Sequence, residues 1–322
     1  MPPKPSSSGS SICSRRWPRS DLLFPPLPGG EGWWRLRFDL VLGQHNRWPL
    51  KPGSVAGLVL CFLALTASRA VAWGEEGHRA ICMTAWTELS EATRGEIRSL
   101  LDVTTPEQFA KTCTWADDVS IARPETAAWH FIHIPKDARA IDLARDCPPP
   151  VSCVVDQIER SAAVLDSKAD KPLRADALKF LTHLVGDLHQ PLNVAFAADG
   201  GGARINVVFL GNKTTMRALW EWGLLQVPAS ALAAAEPHTT IGGRSRRIHW
   251  REGGPRDWAQ DTLWVMRSAP TAYVGNPGGL ELGELYVQQN YPIAQDQLEK
   301  AGIRLALLLG RLLHPDRTPR AP

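Results

Sequence analysis

The sequence predicts an all-α fold with a small β-hairpin or extended loop. Three observations predict it: apolar residues recur at helical spacing along most of the chain, one stretch at 172–189 is strongly periodic, and a single glycine-rich strand-and-turn signal follows it. Residues 75–101 read as helical, with a break near Leu89-Ser90, where Ser90 can cap a second helix. Residues 106–120 and 153–167 read as further helices. Over 172–189, Leu173, Ala177, Phe180, Leu181, Leu184 and Leu188 form one apolar face, and Pro191 ends the helix. Asp199-Gly200-Gly201-Gly202 then leads into Ile205 to Asn212, a strand followed by a turn. Helices resume at 214–225 and 228–235. Residues 236–254 are polar and basic (Arg244, Arg246, Arg247, Arg251) and read as a loop, either simply solvated or tracking a nucleic-acid backbone. Residues 255–268 and 284–313 are helical, the last long and Leu-rich, and no internal repeat is present.

The 322 residues divide into three parts. Residues 1–53 are rich in Pro, Gly, Ser and Trp without a sustained period, and read as a disordered extension or as sequence upstream of a true start near Lys51. Residues 54–72 read as a signal peptide: apolar Ser54 to Thr66 precedes Ala70-Val71-Ala72, an A-x-A cleavage pattern. Cleavage there exports the protein, to the periplasm or the medium, and leaves 73–322 as one large domain. No stretch beyond the leader is long enough to span a bilayer. The formal charge of +3 is misleading: residues 1–72 hold 9 Lys/Arg and 3 Asp/Glu of the totals of 36 and 33, leaving 27 and 30, a net of −3. A mildly acidic domain with no basic stripe needs locally concentrated positive charge to bind a phosphodiester, and metal ions supply it. Four Cys remain beyond the leader, an even number that favours two disulfides in an exported protein. Cys147 and Cys153 bracket a Pro-rich loop, which leaves Cys82 with Cys113; free buried thiols are the alternative.

Cleavage after Ala72 makes Trp73 a free N-terminus. An α-amine and its own carbonyl oxygen chelate a metal through a five-membered ring, and His78 lies five residues on. His183 and Asp187 sit at i and i+4 on the strongest helix, so they share a face. That is a common zinc-ligand spacing, but alone it is more often structural. Trp115-Ala116-Asp117-Asp118 places paired carboxylates at a helix end, and Trp129-His130-Phe131 places a His in an extended stretch ending at Pro135. His133, His238, His249 and His314 read as packing or surface residues, and Trp220, Trp222, Trp258 and Trp264 as core.

The ordered series Trp73, His78, Asp117, His130, His183, Asp187 resembles the zinc-dependent, single-strand-specific nucleases (the S-one/P-one family), which share their helical fold with zinc phospholipase C. The resemblance covers nearly all of 73–322. It runs from W-G-x-x-G-H and W-A-D-D through W-H-F-I and H-L-V-G-D-L-H-Q-P-L to the glycine loop and Gln297–Ala306. It implies two paired zincs. One would be held by Asp117, His130, His183 and Asp187; the other by the Trp73 amine and carbonyl, His78 and Asp187, with Asp187 bridging. Two zincs sharing a carboxylate bring the pKa of a trapped water towards about 7, giving hydroxide at neutral pH. Asp117 would also orient that nucleophile. The implied substrates are single-stranded DNA or RNA and 3′-phosphorylated mononucleotides, and the protein is expected to be a monomer.

The chain departs from that family where a third zinc belongs. The run His189-Gln190-Pro191-Leu192 ends in Asn193, and Thr214-Thr215-Met216 is followed by Arg217, so Asn193 and Arg217 stand in place of two histidines. Only Glu221 keeps a ligand-capable carboxylate. Asn is a poor zinc ligand and Arg stays protonated. Three readings stay open: Arg217 replaces the lost cation and acts on substrate phosphate, the enzyme has decayed to a silent zinc protein that binds nucleotide or a partner, or His189 re-forms a metal site. A zinc phospholipase C is the remaining alternative. Ser120 also stands where the family usually has a basic residue, with Arg123 the nearest cation, and Ala203 stands for a usual Asn in the glycine loop.

Overall fold

The computed structural model describes residues 73–150, 152–227, 249–268 and 280–313. The leader, the helix expected at 228–235, and His238, Arg244, Arg246, Arg247 and His314 lie outside the described residues. The architecture is helical, as the sequence predicts, with two small sheets where one hairpin or extended loop was expected.

The chain begins with α1 (Gly74–Glu88) and α2 (Glu91–Leu101). The break between them is chemical: the Ser90 side chain accepts from the Thr93 amide at 3.2 Å and starts α2. A capping box of Thr105 and Gln108, with Pro106 in the first turn, starts α3 (Pro106–Thr112). α4 (Trp115–Ala122) is a separate helix, so the single helix expected over 106–120 is in fact two. Asp117 and Asp118 therefore lie in the first turn of a helix, not at the end of one. The reason is tertiary. Cys113 is disulfide-bonded to Cys82 on α1, and its carbonyl accepts from His183, while the Asp117 amide turns back to Thr114.

A 3₁₀ turn (Pro124–His130) precedes β1 (Ile132–Ile134), so His130 ends a helical turn where an extended stretch was expected. The short α5 (Leu143–Asp146) leads to the second disulfide, Cys147–Cys153, and then to α6 (Val154–Leu165). Asp170 caps α7 (Lys171–Leu188), its side chain accepting from the Leu173 amide at 3.0 Å. β2 (Val194–Phe196) pairs in parallel with β1, Ile132 opposite Val194. β3 (Asn206–Phe209) and β4 (Asn212–Thr215) form the expected hairpin. The expected helix at 214–225 starts later, because Thr214 and Thr215 belong to β4. It consists of α8 (Met216–Ala218) and a π-helical turn (Leu219–Gly223). α9 (Pro255–Met266), β5 (Leu280–Leu282, parallel to β3) and α10 (Glu284–Leu312) complete the described chain.

α6 packs along α7, and α10 along α1. In its second half α7 becomes the central helix: every residue from Phe180 to Leu188 is buried. A helix buried on all sides should be apolar throughout. This one carries His183 and Asp187, both 0 % exposed, so each needs a partner to offset its lost hydration. Trp220 and Trp258 are core residues as expected, but Trp222 is 43 % and Trp264 63 % exposed. The π-helical turn carries Trp222 away from the 3.6-residue period, and Trp264 lies on the outer side of α9 while its neighbour Leu263 faces in. Among the described residues, no helix is long and apolar enough to cross a membrane.

Candidate metal centre

Five of the six expected ligand residues converge through their side chains. On α7, His183 Nε2 lies 3.2 Å from Asp187 Oδ2, 3.4 Å from Asp117 Oδ1 and 3.1 Å from His130 Nδ1. His130 Nδ1 bonds Asp187 Oδ2 at 2.8 Å. His78, one turn into α1, stacks on His183 with ring centroids 3.9 Å apart, and its Nε2 lies 3.4 Å from Asp187 Oδ1. Asp187 thus faces histidines from three different elements, one carboxylate oxygen towards His78 and the other towards His130 and His183. His78, Asp117 and His183, and likewise His130, His183 and Asp187, group their donor atoms within 4.8 Å of one another. The sixth residue, Trp73, is fully buried at the start of α1, and its indole Nε1 donates to the Gly186 carbonyl at 3.0 Å. The N-terminal end of the domain is thereby fixed against the residue preceding Asp187.

Electrostatics show what the cluster demands. Burial works against charge on His183, yet Asp187 and Asp117 raise its pKa well above the usual histidine value. Burial would likewise raise Asp187, but His183 and His130 hold it well below the usual carboxylate range. His78 is pushed down by burial and by His183. Buried carboxylates among histidines therefore call for positive charge, and without a metal a proton on His183 meets part of that need. Five atoms remain buried without a hydrogen bond: His78 Nδ1 and Nε2, Asp117 Oδ1, His130 Nε2 and Asp187 Oδ1. Each such group costs ~1–3 kcal/mol. Lone pairs of this kind, clustered around two carboxylates, fit metal ions of the zinc type.

Two supporting features were not legible as site residues. The Cys113 carbonyl accepts from His183 Nδ1 at 2.8 Å, which fixes the tautomer and leaves Nε2 to the centre. A backbone carbonyl carries no sequence signal. Gly186 is the other. A Cβ there would lie 2.9 Å from His78 Nδ1 and 3.1 Å from Ile81 Cδ1, so only glycine lets α1 seat His78 against α7. Its signal was the glycine inside H-L-V-G-D. Gly186→Ala is expected to destabilise the fold by ~1–3 kcal/mol through overpacking and to weaken zinc affinity at the same time. Thermal unfolding and zinc titration check this; unchanged affinity would show that His78 is not held by this contact.

Beside the cluster lies a second buried group. Arg217 Nε donates to Glu221 Oε1 at 2.7 Å, and Nη2 donates to Asn193 Oδ1 at 2.8 Å. Asn193 Nδ2 in turn donates to the Asp187 carbonyl at 3.2 Å. Burial pushes the Glu221 carboxyl up to about 8 despite Arg217. His189 is not part of any such group. Its Nδ1 donates to the Val185 carbonyl at 2.7 Å, and its Nε2 accepts from Arg304 at 3.1 Å. Both nitrogens are engaged, so the reading in which His189 re-forms a metal site is overturned. Arg123 is also engaged elsewhere, in an exposed pair with Glu125 at 2.9 Å, and Ser120 bonds the Asp117 carbonyl. Both disulfides are formed, Cys82–Cys113 and Cys147–Cys153.

Several known proteins are similar to this chain. The chain is 26 % identical over 278 residues to Endonuclease 2 of Arabidopsis thaliana, covering 79 % of this chain and 95 % of that protein. It is 25 % identical over 287 residues to Nuclease S1 of Aspergillus oryzae, covering 81 % and 96 %. To Nuclease P1 of Penicillium citrinum it is 30 % identical over 175 residues, 51 % of this chain and 63 % of that protein. The family model described as S1/P1 Nuclease matches residues 73–314, beginning at Trp73 itself. A match of that extent makes the chain a member of the S1/P1 nuclease family.

Proposed function

We propose that this protein is an exported, zinc-dependent phosphodiesterase that hydrolyses single-stranded DNA or RNA and removes 3′-phosphates from mononucleotides. Residues 54–72 act as its signal peptide, and the working domain is 73–322. The observation that carries the reading is the convergence of His78, Asp117, His130, His183 and Asp187 around buried, unpartnered donor atoms. The relatives named as nucleases and endonucleases support the substrate class.

Asp187 would serve both ions, since its two oxygens face different histidines. Asp117, His130 and His183 would hold one ion with it, and His78 with the Trp73 amine and carbonyl the other. A zinc pair held there would supply Lewis acidity, lowering the pKa of a water towards about 7 and polarising phosphate oxygens. Asp117 is the least enclosed of these side chains, 18 % exposed, and would also orient the attacking water. The buried walls from α1 and α7 exclude bulk water, which strengthens every charge interaction at the centre.

The test uses protein beginning at Trp73. Mass spectrometry is expected to find about two zincs per chain, not three. A labelled single-stranded oligonucleotide should be cut well ahead of its duplex, and a chelator should abolish cutting. Release of head groups from phosphatidylcholine vesicles without nucleolysis would replace the reading with a phospholipase C. Zinc binding without cleavage of either substrate would leave a silent zinc protein.

A further inference from the structure

We propose that Arg217 is a phosphate anchor, a fixed guanidinium whose Nη1 takes a phosphate oxygen of the nucleotide beside the metal centre. The proposal rests on the phosphodiesterase reading above for its substrate class. Its geometry stands separately.

Arg217 is 6 % exposed, and two of its three nitrogens are engaged, Nε with Glu221 and Nη2 with Asn193. Among the described residues, Nη1 makes no hydrogen bond. Glu221 and Asn193 grip the guanidinium from two sides, so its plane is set before any ligand arrives. Asn193 also bonds the Asp187 carbonyl, which places one side chain between the guanidinium and the backbone of the bridging carboxylate residue. The anchor is thereby held in register with the metal centre.

The glycine loop packs closely against it. Gly201 has φ +63°, and a Cβ there would lie 3.0 Å from Arg217 Nη1, 2.7 Å from His133 Nε2 and 2.5 Å from the Leu192 carbonyl. Arg217 Nη1 and His133 Nε2 therefore both pack closely against Gly201, beside the Leu192 carbonyl. Burial and the nearby Arg217 hold the His133 pKa down to about 4, so His133 stays neutral and the positive charge is that of Arg217. A fixed guanidinium with one uncommitted nitrogen suits an anionic oxygen, not a cation. A guanidinium offers directed N–H donors to phosphate but has no Lewis acidity. Its contribution is to substrate and product binding more than to the chemical step, so it should appear in KM more than in kcat.

The experiment uses zinc-loaded protein beginning at Trp73 and the paired variant Arg217→Gln/Glu221→Gln, which removes the guanidinium and the carboxylate together, leaving neither as an unpaired buried charge. Inorganic phosphate is the probe, titrated by calorimetry alongside zinc content and KM for a single-stranded oligonucleotide. The paired variant should keep its zinc, bind phosphate about tenfold more weakly, the scale of one charge-assisted hydrogen bond, and show a matching rise in KM with a smaller change in kcat. Unchanged phosphate affinity at unchanged zinc content overturns the proposal. If the pair does not fold, Arg217→Lys is read instead. A lysine is shorter and lacks the planar fork that bonds Glu221 and Asn193 while directing a further N–H elsewhere, so weaker phosphate binding supports the anchor and undiminished binding overturns it. A wild-type protein that cuts no nucleic acid but loses phosphate affinity in the variant refutes the nuclease reading and leaves the anchor standing. Cutting that persists with unaltered phosphate affinity refutes the anchor alone.

Discussion

Asp187→Ala is expected to empty both metal positions and to lower kcat/KM on single-stranded DNA by about a thousandfold or more, equivalent to ~4 kcal/mol of transition-state stabilisation. Asp187 is fully buried, and its two oxygens face His78 on one side and His130 and His183 on the other. Removing it takes a shared ligand from both positions and leaves three buried histidines with only Asp117 to balance charge. The loss should therefore be near two zincs per chain, whereas loss of a ligand to one position, as in His78→Ala, should empty that position first. Zinc content by mass spectrometry, read with kcat/KM, decides it. A full complement of zinc in Asp187→Ala sinks the bridging assignment.

The second large effect is expected at the N-terminus. A chain that starts at Trp73 should bind about one zinc more than the same chain with a single alanine added in front. An α-amine has a pKa of about 8, well below lysine, so it gives up its proton to a metal readily near neutral pH. The added peptide bond turns that amine into an amide, which is no ligand. The side chain is a control within the same residue. Trp73 is anchored by its indole to the Gly186 carbonyl, and that bond does not need a free terminus. The extended chain should therefore keep the melting temperature of the metal-free protein while losing one zinc and about a hundredfold in rate, ~2.7 kcal/mol. Equal zinc content in the two chains would remove the amine from the site.

Much of this was legible in the sequence where the cause is local. Ser90 breaks the first helical run because its hydroxyl is the right cap, and α7 follows from its apolar period. The β3–β4 hairpin follows from its turn at Leu210-Gly211. The candidate ligand series was legible because each member sits in a distinctive local motif. What escaped depends on distant partners. β1 and β2 are three residues each and far apart in the chain, so neither carries a period of its own. The break at Cys113 exists because α7 draws that carbonyl inward. Trp222 read as core because the count assumed 3.6 residues per turn, and the π-helical turn does not keep that count. Asn193 and Arg217 were visible as departures from the resembled pattern, but their structural consequence was not. The two residues bond each other, and Arg217 bonds Glu221, in one network, which a reading of positions one at a time does not show.

The bond from His183 to the Cys113 carbonyl joins two chemistries that are usually separate. Cys113 is covalently bound to Cys82, which lies one helical turn from His78 on α1. That one covalent bond therefore ties the helix carrying His78 to the carbonyl that accepts from His183, so a crosslink outside the cluster fixes how two of the candidate ligands stand relative to each other across α1 and α7.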